Sequence, residues 1–467
     1  MNQLQSRLNS LKYSLNAAGD LSGHFVQDSE SCIAMSELLS GSALYSRGDE
    51  LSGRSVLIAT RDQLTTASAL IELDGLARRI VICPPDLPLD LFPYLMDTAD
   101  IDAIVSDRGP LQLGRPRTTY FGSCSRNIVP ASHNGSAVHQ TEWILLTSGT
   151  TGMPKMVVHT LASLAGAIEC RSTSSKPVVW STFYDIRRYG GLQIFLRAVL
   201  TGTSLVLSSA HESTADFLAR AGKSGVTHIS GTPSQWRRAL MSSSAHLIAP
   251  QNVRLSGESA DQAILNNLRD LYPQARLVHA FASTEAGVAF EVNDGQAGFP
   301  AAFLAGTPGV EMKVMDGTLR VRSSRIASRY LGDEAPRLAG ADGFVDTGDL
   351  IELRDGRFHF MGRRDGIINV AGLKVYPEEI EAVINRHPEV QMSLVKAKKS
   401  PVTGSLVVAD VVLKLNPASE SIDRGATRED ILQLCREALS AYKVPAIINI
   451  VPALTVADSG KVMRKNA

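Results

Sequence analysis

The sequence predicts an α/β fold: parallel-rich α/β sheets first, an antiparallel section after them, and a small α+β unit at the end. Three observations carry this. Strand-like and helix-like segments alternate from Ser55 to Phe281, the βαβ signature of a parallel sheet covered by helices. From about residue 300 the pattern turns to apolar–polar alternation around a DG turn. The length of 467 residues exceeds one ordinary core and implies at least two domains.

In chain order, SVLIAT (55–60) reads as a short buried strand. RDQLTTASALIELDGLARR follows, with Leu64, Ala67, Leu70 and Ile71 on one helical face. IVICPP is again a strand, LDLFPYLMDTA a helix and DAIVSD a strand. The pattern returns in SLVLSS, a helix near STADFLARAGKSG, and THISGTP. It returns once more in NVRLSGE, a helix near ADQAILNNLRDLYP, and ARLVHAF. LAGTPGVEMKVMDGTLRVRSS then suits antiparallel strands, and GRFHFMGRRDGIINVAG two short strands with a glycine-rich turn. In YPEEIEAVINRHPEV, Pro377 and the acidic residues after it suit a helix first turn. SLVVADVVLKL is a strand, and TREDILQLCREALSAY a helix with Thr427 as N-cap and Asp430 in the capping-box position. Gly362-Arg363-Arg364-Asp365 is the expected boundary, dividing the chain into residues 1–362 and 363–467.

Composition excludes several classes. The 47 Lys and Arg balance the 47 Asp and Glu, which gives no sign of a nucleic-acid or anionic-membrane partner. The N-terminus lacks a secretory apolar core and no stretch approaches a membrane span. The five cysteines, Cys32, Cys83, Cys124, Cys170 and Cys435, are scattered and form no CxxC pair, so neither a disulfide framework nor a zinc site follows. A reducing cytoplasm is the expected compartment, with Cys83 a buried, inert thiol.

The most informative segment is WILLTSGTTGMPK, Trp143 to Lys155. An apolar strand runs into small and hydroxylic residues, Thr147, Ser148, Gly149, Thr150, Thr151 and Gly152. Small residues let backbone N–H groups approach a polyphosphate, the hydroxyls add donors, and Lys155 adds a point charge. The GK[ST] ending of a Walker loop is missing. The full string resembles the signature of the adenylate-forming superfamily: acyl- and aryl-CoA synthetases, nonribosomal adenylation domains and luciferases. Four further segments resemble that family's motifs in the right order. They are Phe281-Ala282-Ser283-Thr284-Glu285, with alanine in place of a glycine; Thr347-Gly348-Asp349-Leu350; Gly362-Arg363-Arg364-Asp365 with its continuation to Gly372; and Tyr442-Lys443-Val444-Pro445 followed by Ser459-Gly460-Lys461. The resemblance runs from about residue 50 to the end.

The resemblance implies a large N-terminal ATP- and acid-binding domain with a distorted β subdomain, and a small mobile C-terminal domain. It implies activation of a small carboxylic acid by ATP with Mg2+, giving acyl-AMP and pyrophosphate, then transfer to the CoA thiol. Lys461 would bridge carboxylate and α-phosphate, Thr284 would contact the α-phosphate, and Glu285 would help hold Mg2+. Thr147 to Gly152, Lys155, Ala282 and Ser283 would surround the nucleotide, with Asp349 and Arg363 on the ribose. Phe281 stacks on adenine or is a plain core residue. Asp365 is the implied hinge and Gly372 the implied thioester loop.

The acid pocket is expected around VVWSTFYDIRRYGGLQIF, where an aromatic–His pair of many relatives is missing. Tyr184 and Tyr189 are candidates to line an aryl or short acyl pocket. Asp185 is a candidate partner for an amine. Arg187 or Arg188 meets a polar substituent or a CoA phosphate, or DIRR is a solvated turn. Gly231, Gly257 and Gly287 are further wall candidates, or ordinary strand-end turns. Two other functions share these motifs in whole or part. One is an adenylating enzyme that loads a carrier protein or an amine, and the other a non-catalytic nucleotide-binding relative. The latter is disfavoured by intact Lys155, Glu285 and Lys461. The few residues after Lys461 lead to the expectation that no carrier domain follows.

Overall fold

A computed structural model describes residues 10–45, 47–109, 120–131, 139–147, 153–169, 177–400, 404–414 and 424–455. Two large sheets dominate it. A seven-stranded sheet runs, edge to edge, through Arg329–Tyr330, Lys155–His159, Glu142–Thr147, Arg79–Ile82, Ser55–Ile58, Ala103–Ser106 and Tyr120–Ser123. An eight-stranded sheet runs through Gly287–Val292, Arg276–Ser283, Asn252–Ser256, His228–Gly231, Val179–Thr182, Ser204–Leu207, Phe25–Gln27 and Cys32–Ala34. Both are parallel in their middles, as βαβ alternation requires; the eight-stranded sheet is antiparallel at both edges and the seven-stranded sheet at the Arg329–Tyr330 edge alone.

Each expected strand between residues 55 and 283 is present. The strands Ser55–Ile58, Arg79–Ile82 and Ala103–Ser106 are buried at every position, because helices cover both faces. The helix Gln63–Leu73 departs from its expected one-faced pattern and is buried all round. It lies between layers, in a core shared by Ile58, Ile80 and Trp143 of one sheet and Leu205 and Leu207 of the other. Its Glu72 is tolerated there because Ser42 Oγ (2.5 Å), Ala43 N (2.9 Å) and Leu44 N (3.3 Å) all donate to the carboxylate. Outer helices close the opposite faces in two further cores. Cys83 is buried, and desolvation pushes its thiol up to about 12, in keeping with an inert role.

From residue 299 a five-stranded antiparallel sheet follows, including the DG hairpin of Val310–Met315 with Thr318–Ser323. Its strand Arg357–Arg363 leads into a single 3-10 turn, Arg364–Gly366. The C-terminal unit has a hairpin (Ile368–Val370, Leu373–Val375), the helix Pro377–Ile384, a three-stranded sheet and the helix Arg424–Ala438 around its own core. One expectation is corrected here. Thr427 is not an N-cap: the helix begins at Arg424 and places Thr427 inside it, buried. The short strands Phe25–Gln27 and Cys32–Ala34, which extend the eight-stranded sheet, were not foreseen.

Candidate active site

Ligands of open α/β sheets bind outside the carboxyl ends of the strands, and the ends of both large sheets open on one cavity of about 1800 Å³. From the seven-stranded sheet come Thr147 and Lys155, facing partners in an antiparallel pair. The intervening Ser148, Gly149, Thr150, Thr151 and Gly152 lie outside the described residues, as does Lys461. From the eight-stranded sheet comes Phe281 through Glu285. A bulge between Phe281 and Ala282 re-aims this strand end, and Ser283 Oγ accepts from Ala286 N (2.9 Å) to hold the turn. The five-stranded sheet brings Asp349 and Arg363, direct cross-strand partners, to the same cavity with Asp365 just beyond. Gly348 needs its positive φ of 71°, and a Cβ there would lie 3.3 Å from Arg363 Nη2.

Two residues that the sequence reading passed over bind this constellation together. His159 is fully buried at the end of the Lys155–His159 strand, with Nε2 2.7 Å from the Thr284 carbonyl and Nδ1 2.9 Å from Ser163 Oγ. A carbonyl only accepts, so Nε2 carries the proton and Nδ1 is left as an acceptor beside Ser163 Oγ, whose proton is shared with the Thr160 carbonyl (3.0 Å). Desolvation holds the ring neutral, at about 4. Tyr330, from the edge strand of the same sheet, donates its hydroxyl to Glu285 Oε1 (3.4 Å), while Lys155 Nζ sits 5.2 Å from its ring centroid. Burial, then Glu285, raise the Tyr330 hydroxyl above its ordinary value and keep it a donor. Neither residue belongs to a recognisable string; His159 is 125 positions from Thr284 and Tyr330 is 45 from Glu285, neighbours only in the fold.

The acid-pocket candidates divide. Tyr184, Tyr189 and Gly257 line the cavity. Tyr184 donates to the Ser256 carbonyl (2.6 Å), and Tyr189 packs 5.9 Å from the His159 ring. Asp185 is corrected: it does not line the cavity but is bound by Arg187, whose Nε and Nη2 reach Asp185 Oδ1 (2.8 Å) and Oδ2 (2.5 Å). Arg187 is 3% exposed and also donates to the carbonyls of Thr60 (2.7 Å) and Arg61 (2.9 Å). It neither faces a ligand nor lies in a solvated turn. Arg188 does reach the cavity rim, paired with Asp86. Gly231 and Gly287 are packing positions: a Cβ would meet the Phe183 ring at 2.7 Å in the first and the Arg325 carbonyl in the second. Phe281 reaches the cavity, but its ring stacks on Phe360 (5.0 Å) and Phe290 (5.6 Å), so aromatic packing alone accounts for it. Gly372 sits at the hairpin tip, φ 84°, with nothing within 4 Å of a Cβ and away from the cavity wall.

The donor set suits a triphosphate. Thr147 Oγ1 is buried with no hydrogen-bond partner among the described residues, and Lys155 and Arg363 add cationic donors around the same space. No cluster of three or more His, Cys, Asp or Glu among the described residues could hold a metal alone. A hard cation here would rely on Glu285 plus phosphate oxygens, the arrangement usual for Mg2+.

Comparison with known proteins decides the family. The AMP-binding enzyme family matches residues 91–325, and the AMP-binding enzyme C-terminal domain matches residues 379–461. The chain belongs to the AMP-binding enzymes. Among curated members of this adenylate-forming superfamily, it is 30% identical over 344 residues to a 2-succinylbenzoate–CoA ligase of Listeria monocytogenes serotype 4b (strain F2365), covering 69% of this chain and 68% of the relative. It is 27% identical to the 2-succinylbenzoate–CoA ligase of Salmonella typhimurium, covering 77% and 78%. Among solved structures, an anthranilate CoA ligase in complex with anthranoyl-AMP superposes with a TM-score of 0.80 at 16% identity, covering 97% of this chain and 95% of that one. The AMP-binding enzyme described here is an AMP-forming ligase of the acyl-CoA synthetase type, with the large N-terminal and small C-terminal units of its fold. No helix among the described residues is long and apolar enough to cross a membrane.

Proposed function

We propose that the protein activates a small aryl or short acyl carboxylic acid with ATP as its acyl-AMP, releases pyrophosphate, and passes the acyl group to the thiol of CoA. The observation that carries this is the convergence of Lys155, Thr284, Glu285, Asp349 and Arg363, from three sheets, on the cavity that Tyr184 and Tyr189 also line. The attacking carboxylate is already ionised, so no general base is required. The barrier is the approach of an anion to a polyanion, and positioning with charge neutralisation lowers it. Lys155 and the loop it closes hold the β- and γ-phosphates, while Thr284 meets the α-phosphate. Asp349 and Arg363 hold the ribose. Glu285, oriented by Tyr330, would hold Mg2+, which supplies charge neutralisation between phosphates. Lys461 delivers one positive charge to the reacting oxygen.

The second half rests on motion. Residues 1–362 and 363–467 form the two domains, and Asp365 in the 3-10 turn is the pivot. Rotation about it would carry Gly372 to the cavity for thioester formation. The relatives named as CoA ligases support CoA as acceptor, and the cytoplasm, where ATP and CoA are found, is the matching compartment. Acid-dependent ATP–pyrophosphate exchange tests the first half, and appearance of a CoA thioester tests the second. Exchange without thioester, with acyl-AMP consumed only by a carrier protein or an amine, would refute the CoA assignment.

A further inference from the structure

One face of the eight-stranded sheet carries polar side chains into the acid pocket. Thr182 pairs with Ser230, Ser230 with Arg254, Ser256 with Ala280, and Ala280 with Glu291. Side chains alternate along strands, so these residues share a face. Their neighbours Ile229, Val253, Leu255 and Leu277 fill the apolar core behind it. Arg254 therefore stands in the wall that also holds Ser256, Tyr184 and Ile194, and it is only 8% exposed.

Two arginines converge on one carboxylate beside it. Arg254 Nη2 lies 2.7 Å from Glu291 Oε1, and Arg197 Nη2 reaches that same oxygen at 3.3 Å. Two guanidinium groups share one carboxylate. Desolvation first, and Arg254 second, lower Arg197 to about 10. Burial raises the Glu291 carboxyl, yet Arg254, with Arg197 and Arg276, overrides it and brings it down to about 2. A second observation is independent of charge. Gln193 lines the same cavity and is 5% exposed. Its Nε2 donates to the Leu164 carbonyl (2.9 Å), which fixes the amide orientation, and Oε1 is left buried without a partner among the described residues.

We propose that the acid selected by this pocket carries a second oxygen group besides the reacting carboxylate, a hydroxyl or a carboxylate, which accepts hydrogen bonds from Arg254. An unsubstituted apolar acid of the same size would desolvate Arg254 without replacing its water. Sites built to hydrogen-bond a substrate group reject analogues that lack it much more strongly than apolar pockets reject an added one. Both sources share the acceptor chemistry. A hydroxyl can in addition donate to Gln193 Oε1, which a carboxylate cannot. This inference rests on the adenylation reading above.

The test is ATP–pyrophosphate exchange by the full-length protein with matched acids: benzoate against the hydroxybenzoates and the benzenedicarboxylates, and butyrate against 3-hydroxybutyrate and succinate. At least one oxygen-bearing acid should exceed its unsubstituted partner in kcat/KM by roughly tenfold or more. Arg254→Met should bring that ratio toward one. Arg254→Lys, which keeps a charge against Glu291, should retain part of it and guards against a Met variant that fails to fold. Gln193→Leu should lower the ratio further only where the preferred group is a hydroxyl, which distinguishes the two sources. Unsubstituted acids performing as well as every oxygen-bearing one, or ratios unchanged in both Arg254 variants, would overturn the inference while leaving adenylation standing. Exchange with no acid at all would overturn both.

Discussion

His159 joins the Lys155–His159 strand to the Thr284 turn through one ring with both nitrogens engaged. His159→Ala strands the Thr284 carbonyl, while Ser163 Oγ keeps its bonds to Thr160, and the loss should cost about 1–3 kcal/mol of stability. It should also raise KM for ATP several-fold; melting and exchange kinetics check both. The ring's titration gives a second prediction. Burial lowers it to about 4 from the ordinary imidazole value of 6.5, so between those pH values the unfolded chain binds the extra proton. The neutral ring's contribution is thus complete above the unfolded value and is lost as pH falls toward the folded one. Stability-versus-pH curves of wild type and His159→Ala should converge across that interval, and parallel curves would contradict the burial argument. Glu285→Gln keeps the shape beside Tyr330 but removes the charge; we expect kcat to drop roughly a hundredfold, with partial recovery at high Mg2+.

At the scale of elements, the helix Tyr189–Thr201 begins with two glycines of different kinds. A Cβ at Gly191 would overlap the Asp185 carbonyl, whereas one at Gly190 would only touch the Tyr184 ring at 3.4 Å. Gly191→Ala should therefore destabilise by about 1–3 kcal/mol, while Gly190→Ala should fold normally and shift KM for the acid. Thermal melting of the pair separates the two effects. This helix also shows what a single chain reveals. The strands and helices from Ser55 to Ser283 were legible because their apolar runs have a clear period and clear breaks. The strands Phe25–Gln27 and Cys32–Ala34 are three residues each, too short to display one. Thr427 was misread because threonine before acidic residues suits a cap, yet the helix had already started at Arg424. The motif strings placed Thr284, Glu285, Asp349 and Arg363 on one cavity. Tyr330, Arg254 and His159 escaped because their meaning lies in cross-strand neighbours. Asp185 and Arg187 were misassigned because sequence alone does not show that they bind each other.

Among the described residues, polar contacts across the proposed 362/363 boundary include the ion pairs Arg354–Glu379 (3.7 Å) and Arg364–Asp346 and two hydrogen bonds. Asn385 Nδ2 donates to Asp261 Oδ2 (3.0 Å) and Gln391 Nε2 to the Arg237 carbonyl (2.8 Å). Polar contacts of this kind would suit the parting that the proposed rotation requires. Gly372 tests the motion: Gly372→Val introduces no collision but strains a φ of 84°. Pyrophosphate exchange should stay within about twofold while thioester formation falls by roughly tenfold or more. Equal losses in both assays would argue against separate postures for the two half-reactions. Arg187 has a wider consequence. It grips carbonyls at Thr60 and Arg61 at the end of one sheet and the Asp185 carboxylate beside the acid wall of the other. Descendants of this chain would diversify their diet at positions such as 193 and 254, which line the cavity and touch one neighbour each, Leu164 and Glu291. The arginine that rivets the two halves of the vessel is closed to such experiment, since any change there would loosen the container before it altered the contents.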